Sequence, residues 1–145
     1  MSYDTLSRSV VFVVTLVVLL VGHSLGDHVA QTDRQATRKA TRGAAGWRAL
    51  AAHLLTYHVT ITAALLLTCA ALHLPLSPAG VTAGVAFSAL THGLLDRRWP
   101  VRAVLRATGS PQFADTTSPV CGMYVADQAL HQASLLVSAL LVAGL

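Results

Sequence analysis

Four stretches of the chain, at about residues 9–31, 47–74, 78–96 and 123–145, are apolar over lengths that suit membrane-crossing helices. A helix needs about 20 predominantly apolar residues to cross a hydrocarbon core. The third stretch is the shortest, and its Gly80, Gly84 and Gly93 either weaken the helix or permit close helix packing. Pro75 and Pro78 bracket a Leu-Ser turn, which makes stretches two and three an antiparallel hairpin. The first stretch has Arg8 before an apolar run, as a secretory signal would. Its run VVFVVTLVVLLVG leads instead into HSLGDHVAQ, with no small-residue cleavage site, and this favours a retained helix. No internal repeat, low-complexity tract or glycine-rich phosphate loop interrupts the pattern.

Composition carries the same message. Of 145 residues 54% are apolar and only 11% charged, against roughly 25% charged in an ordinary globular domain. The predicted fold class is an all-α integral membrane protein, a single four-helix transmembrane bundle over residues 1–145. The basic residues set its orientation. Arg34, Arg38, Lys39, Arg42 and Arg48 fall between stretches one and two, at about residues 32–46 and just beyond. Arg97, Arg98, Arg102 and Arg106 fall between stretches three and four, in the connection 97–122, and only Arg8 lies elsewhere. By the positive-inside rule those connections are cytoplasmic and both termini extracytoplasmic. The positive balance is thus explained by topology and anionic lipid headgroups. No aromatic-and-basic pattern for base stacking accompanies it, which excludes nucleic acid as the expected partner. Cys69 and Cys121 fall near opposite faces of the membrane, too far apart for a disulfide.

On this topology the ionisable residues gather at one end. Stretch one ends with His23, Asp27 and Gln31; stretch two begins with His53 and Tyr57; stretch three ends with His92 and Asp96; stretch four begins with Asp127, Gln128 and His131. The pairs His23/Asp27, His92/Asp96 and Asp127/His131 are each four residues apart, one above the other on a helix face. The first two run His to Asp toward the cytoplasm and the third runs Asp to His away from it. All three therefore put Asp nearer the cytoplasm and His one turn deeper.

An Asp at a helix centre costs about 2.5–3.5 kcal/mol on the insertion scale, so something must neutralise these carboxylates. His with carboxylate is a good ligand set for zinc or another first-row divalent cation, and helix-borne ligands of this kind build one- or two-metal sites in bundle cores. The expected metal ligands are His23, Asp27, His53, His92, Asp96, Asp127 and His131. These seven exceed one zinc's four, leaving room for a second ion, for carboxylates bonded to ligand histidines, or for a general base. Two other readings remain open: a metal-free buried His-Asp network that locks the helices, and a proton or ion pathway. His28 and His58 fall out of phase with their neighbours, and His73 sits at the opposite face. Ser88, Ser134 and Ser138 extend a polar seam inward, as helix glue or a cavity lining. Without a G-x-S-x-G elbow, or a cysteine with a suitably placed histidine, nucleophilic catalysis by serine or thiol lacks support.

The ordered motifs H-x-x-x-D-x-x-x-Q at His23/Asp27/Gln31, the isolated His53, H-x-x-x-D at His92/Asp96 and D-Q-x-x-H at Asp127/Gln128/His131 cover essentially the whole chain. In them it resembles an uncharacterised bacterial membrane family, domain of unknown function 3307. The family's pattern has an aromatic residue where His28 stands and a basic residue after the first motif, met here by Lys39 or a neighbouring Arg. The resemblance implies no activity. A looser similarity to membrane-bound metal-dependent hydrolases is an analogy of class.

The expected function is a metal-dependent hydrolase in a bacterial inner membrane, with one or two divalent ions, zinc foremost, near the cytoplasmic leaflet. The metal would activate water against a phosphoester or a related bond in a lipid headgroup or membrane-delivered small molecule. Asp27, Asp96 and Asp127 would share coordination, support of ligand histidines and general-base roles, Gln31 and Gln128 would orient substrate or water, and Tyr57 would either donate to a carboxylate or substrate or pack in the core. The connection 97–122 could cover the site, with WPVRAVLRA as a short amphipathic helix at the interface. The rival is a non-enzymatic metal- or proton-binding module: a small transporter, sensor or partner subunit. Polar residues thin out toward the outer face, which favours a one-sided site. A homo-oligomer is compatible with either.

Overall fold

The computed structural model describes residues 2–145, and among these all regular structure is helical. Four helices are long and apolar enough to cross a membrane: α1 (Tyr3–His28), α3 (Ala44–Ala71), α4 (Pro78–Leu95) and α6 (Gly122–Gly144). Two short helices, α2 (Asp33–Arg38) and α5 (Trp99–Ala107), lie in the connections at one end, with a 3-10 turn at Pro111–Asp115.

The helix ends follow local chemistry. Ser77 caps α4, its side chain accepting from Gly80 N, and Pro78 begins that helix, where a missing N–H costs nothing. Thr32 and Gln35 form a reciprocal capping box that starts α2. The sequence pattern gave residues 32–46 no helix; α2 is an addition, and it ends by delivering Lys39 to the bundle. α1 begins six residues earlier than the apolar pattern suggested and stops three residues short of Gln31.

Packing departs from chain order. α1 lies against α3 and α6, and α6 against α4, whereas the two arms of the α3–α4 hairpin meet only sparingly. Glycine explains α4's choice of partner. A Cβ on Gly84 would lie 2.6 Å from Val142 Cγ2 and 2.9 Å from the Ser138 carbonyl oxygen of α6. Only a residue without a side chain permits that approach.

The interior is apolar toward the termini, with Val11, Leu65, Cys69 and Val142 together. Next come Leu19, Tyr57, Ile61, Leu135 and Ala139. Val13, Val17, Leu55, Leu67, Leu90 and Leu140 face outward, a distribution that suits lipid rather than water. α5 is amphipathic as expected, but Val101 and Leu105 turn onto Leu95 and Ala114, beside Met123 and Leu130. Val101 and Leu105 are therefore covered by protein, while Trp99 and Val104 of the same helix stay exposed.

Candidate metal centre

Four helices and one connection bring the site together. α1 supplies His23 and Asp27 from its last turns, and α3 supplies His53 and Tyr57. α4 supplies His92 and, at its C-cap, Asp96. The close approach of α1 to α3 depends on Gly26, where a Cβ would stand 2.6 Å from Tyr57 Cδ2. Both carboxylates thus sit at helix C-termini, where the backbone dipole disfavours negative charge. They need cations.

The nearest donors form a compact group. His53 Nε2 lies 3.0 Å from His92 Nε2, 3.0 Å from Asp27 Oδ1 and 3.4 Å from Asp96 Oδ2. His92 Nε2 lies 3.4 Å from each of the same two oxygens. Each carboxylate therefore closes a triangle with the two ring nitrogens, with edges of 3.0–3.4 Å. Zinc bonds of about 2.0–2.1 Å imply a tetrahedral edge of about 3.3 Å. Asp27 Oδ1 and Asp96 Oδ2 are buried and make no directed hydrogen bond. The two carboxylate oxygens thus face the paired ring nitrogens with lone pairs that a cation would engage.

Lys39 joins them from the end of α2; the sequence marks it for topology and, through the family resemblance, as one of several candidates for the basic residue after the first motif, but not as part of the site. Its ammonium lies 2.7 Å from Asp96 Oδ1, 3.9 Å from Asp27 Oδ1 and 3.3 Å from His53 Nε2, with the residue only 8% exposed. Two carboxylates and one ammonium leave a single negative charge if the imidazoles are neutral. Burial would push the Asp96 carboxyl up, but contacts from His92 and the Lys39 ammonium outweigh it and hold it below the usual carboxylate range. The Thr32/Gln35 capping box was the available signal, because it fixes where the chain turns back toward the bundle.

The remaining sequence candidates take separate places. His131 donates Nδ1–H to the Asp127 carbonyl at 2.8 Å, so its buried Nε2 carries a lone pair and has no hydrogen-bond partner. It stacks on His23 and meets the His92 ring edge-on, with centroids 5.2 and 4.4 Å away. His23 is already engaged by the Tyr57 hydroxyl at 3.0 Å and Gln128 Oε1 at 3.1 Å. It does form a possible three-donor group with Asp27 and His92, beside that of His53, His92 and Asp96. Asp127 belongs to neither group and is half-buried, 3.6 Å from His131 of its own helix. Gln31 donates to the Asp27 carbonyl at 2.5 Å.

His28 is exposed, bonded to Ser24 and to the Tyr124 hydroxyl. His58 bonds Leu54 and, through Nε2, Ser88, while Ser134 and Ser138 donate to carbonyls of α6 itself. The serine seam is thus satisfied internally. Cys69 and Cys121 are both free thiols.

A cavity of about 230 Å³ opens from the acidic group toward the connections, lined by Asp27, Lys39, Asp96, Arg98, Asp127 and Gln128 among others. A neighbouring cavity of about 220 Å³ shares Arg98 and Asp127 and adds Arg102. Of the residues lining them, Arg98 and Arg102 are exposed, whereas Asp27 and Asp96 are buried.

A family model described as protein of unknown function (DUF3307) matches residues 15–145. The chain belongs to that family. The DUF3307 match takes in α3, α4, α6, the part of α1 from Thr15 onward and every residue of the His-Asp group. No match was found among curated proteins or among solved structures.

Proposed function

We propose that this DUF3307 protein is a metal-dependent hydrolase of the bacterial inner membrane, with one divalent ion, zinc first, held by His53, His92 and the carboxylates of Asp27 and Asp96. The observation that carries the reading is the pair of donor triangles with 3.0–3.4 Å edges, which match the edge of a zinc tetrahedron. Three of these four donors would suffice for a catalytic zinc, which keeps its fourth position for water and would lower the pKa of that water to about 7.

Asp127, beside the cavity, takes the water proton as the oxygen attacks phosphorus. Arg98 at the mouth meets the phosphate anion, for which a planar guanidinium is well suited. The P–O bond to the leaving alcohol breaks and that alcohol departs with the proton Asp127 took from the water; the substrate class is a phosphoester on a lipid headgroup or a membrane-delivered small molecule. His131 and His23 back the centre from α6 and α1, with room for a second ion.

Elemental analysis of the purified chain tests this. About one metal ion per chain is expected, and the Asp27→Ala/His92→Ala variant should lose it. Absence of metal from both preparations, even after zinc supplementation, would end the hydrolase reading. Lys39 favours one alternative: its ammonium 2.7 Å from Asp96 could itself be the counter-charge of a metal-free network, as in a non-enzymatic proton-binding module.

The proposed topology has both termini extracytoplasmic and the centre near the cytoplasmic leaflet, following the basic connections. A periplasm-active reporter fused at Leu145 should be active, and a cytoplasm-only reporter silent. The reverse pattern inverts the orientation while leaving all the clusters at one end.

A further inference from the structure

The sparse contact between α3 and α4 leaves a groove of about 890 Å³ on the outside of the bundle, separate from the His-Asp cavity. Its size falls within the roughly 300–1,000 Å³ typical of ligand pockets. Leu50, Leu54, Leu90 and Leu94 form its length. Gly93 deepens it, since a Cβ there would come within 3.1 Å of Leu54 Cδ1. The end toward the connections is different, carrying Trp47, Trp99, Arg42 and Arg97.

That end is built for a headgroup. Trp47 and Trp99 are exposed, 60% and 63%, at the level where tryptophan marks a membrane interface. The Arg97 guanidinium lies 4.6 Å from the Trp47 ring centroid. It is fixed there by donating to the Lys39 and Thr41 carbonyls at 2.8 and 2.9 Å. Arg42 is exposed beside it, and no acidic side chain lines the groove. The groove is therefore apolar along its length, aromatic at its lip and positively charged at its end.

We infer that this groove binds one anionic phospholipid of the adjoining leaflet, with the phosphate on Arg42 and Arg97 and an acyl chain along Leu50, Leu54, Leu90 and Leu94. A second copy of the chain is the poorer occupant. An isologous contact through this face would set the same two arginines against their equivalents, and like charges juxtaposed across an interface oppose association. A free phosphate would leave the leucine-lined length unfilled.

The chain offers its own probe, because Trp47 and Trp99 are its two tryptophans. The full-length protein is placed in phosphatidylcholine nanodiscs containing a small, equal mole fraction of either brominated phosphatidylglycerol or brominated phosphatidylcholine. Tryptophan fluorescence is then compared between the two. Preferential quenching by the anionic lipid is expected, with roughly fivefold in relative association from each arginine. Arg42→Gln should remove about one such fivefold factor without touching Arg97, whose carbonyl contacts hold the chain. Equal quenching by the two lipids overturns the proposal. So does fluorescence insensitive to both, which would mean that a second copy covers the groove. Neither readout depends on metal, so this inference and the hydrolase reading fail separately.

Discussion

In the presence of a chelator, Lys39→Met should cost about 3–5 kcal/mol of stability, the usual result of removing one partner from a buried ion pair. Methionine keeps the apolar stem of lysine in place, so the loss reports charge rather than packing. The loss is large because of where the carboxylates stand. Asp96 is 2% and Asp27 7% exposed, and both lie at helix C-termini whose dipoles add to the repulsion. Lys39, with its ammonium 2.7 Å from one carboxylate and 3.9 Å from the other, is the fixed positive charge that serves both. The two readings of the centre diverge at the next step. If His53, His92 and the carboxylates hold a divalent ion, added zinc supplies two charges where one was removed, and thermal unfolding in detergent should recover most of the loss. If the network is metal-free, zinc restores nothing. A variant as stable as the parent in chelator would remove Lys39 from the account altogether.

Much of the bundle was legible because a bilayer simplifies the code. Long apolar blocks mark spans, and a His and an Asp four residues apart inside such a block must share a face. What the spacing does not carry is the rotation of each helix. His92/Asp96 and Asp127/His131 have the same separation, yet only the first turns both side chains to the centre. His131 instead bonds its own backbone, and Asp127 looks into the cavity. Helix pairing was hidden for a similar reason. The Pro75–Pro78 turn ties α4 to α3 in the chain, but Gly84 can be approached closely only from one side, and that side is α6. Lys39 was the least legible. Its role arises from a connection whose course depends on a single capping box, and in a count of charges it looks like its four basic neighbours.

The separation of Asp27 from Asp127 predicts that two chemically identical substitutions will have different consequences. Asp27→Asn removes a charged oxygen 3.0 Å from His53 Nε2 and 3.4 Å from His92 Nε2. An amide oxygen is a weaker ligand and its NH₂ competes for the same lone pairs, so metal retention should fall with hydrolysis of a phosphate monoester. Asp127→Asn should leave the metal content unchanged. Asp127 stands outside both donor groups, on the wall shared by the two cavities, where the expected deficit is that of a lost general base, about 10²–10⁴-fold in kcat. Metal analysis and turnover measured on the same preparations separate the cases. Equal metal loss in both variants would show that Asp127 is a ligand, and that α6 rotates inward when the ion binds. Full metal with full turnover in Asp127→Asn would pass the proton transfer to Asp96. That residue is clamped by Lys39 and so is a poor base, because an ammonium at 2.7 Å stabilises the ionised carboxylate and weakens its hold on a proton.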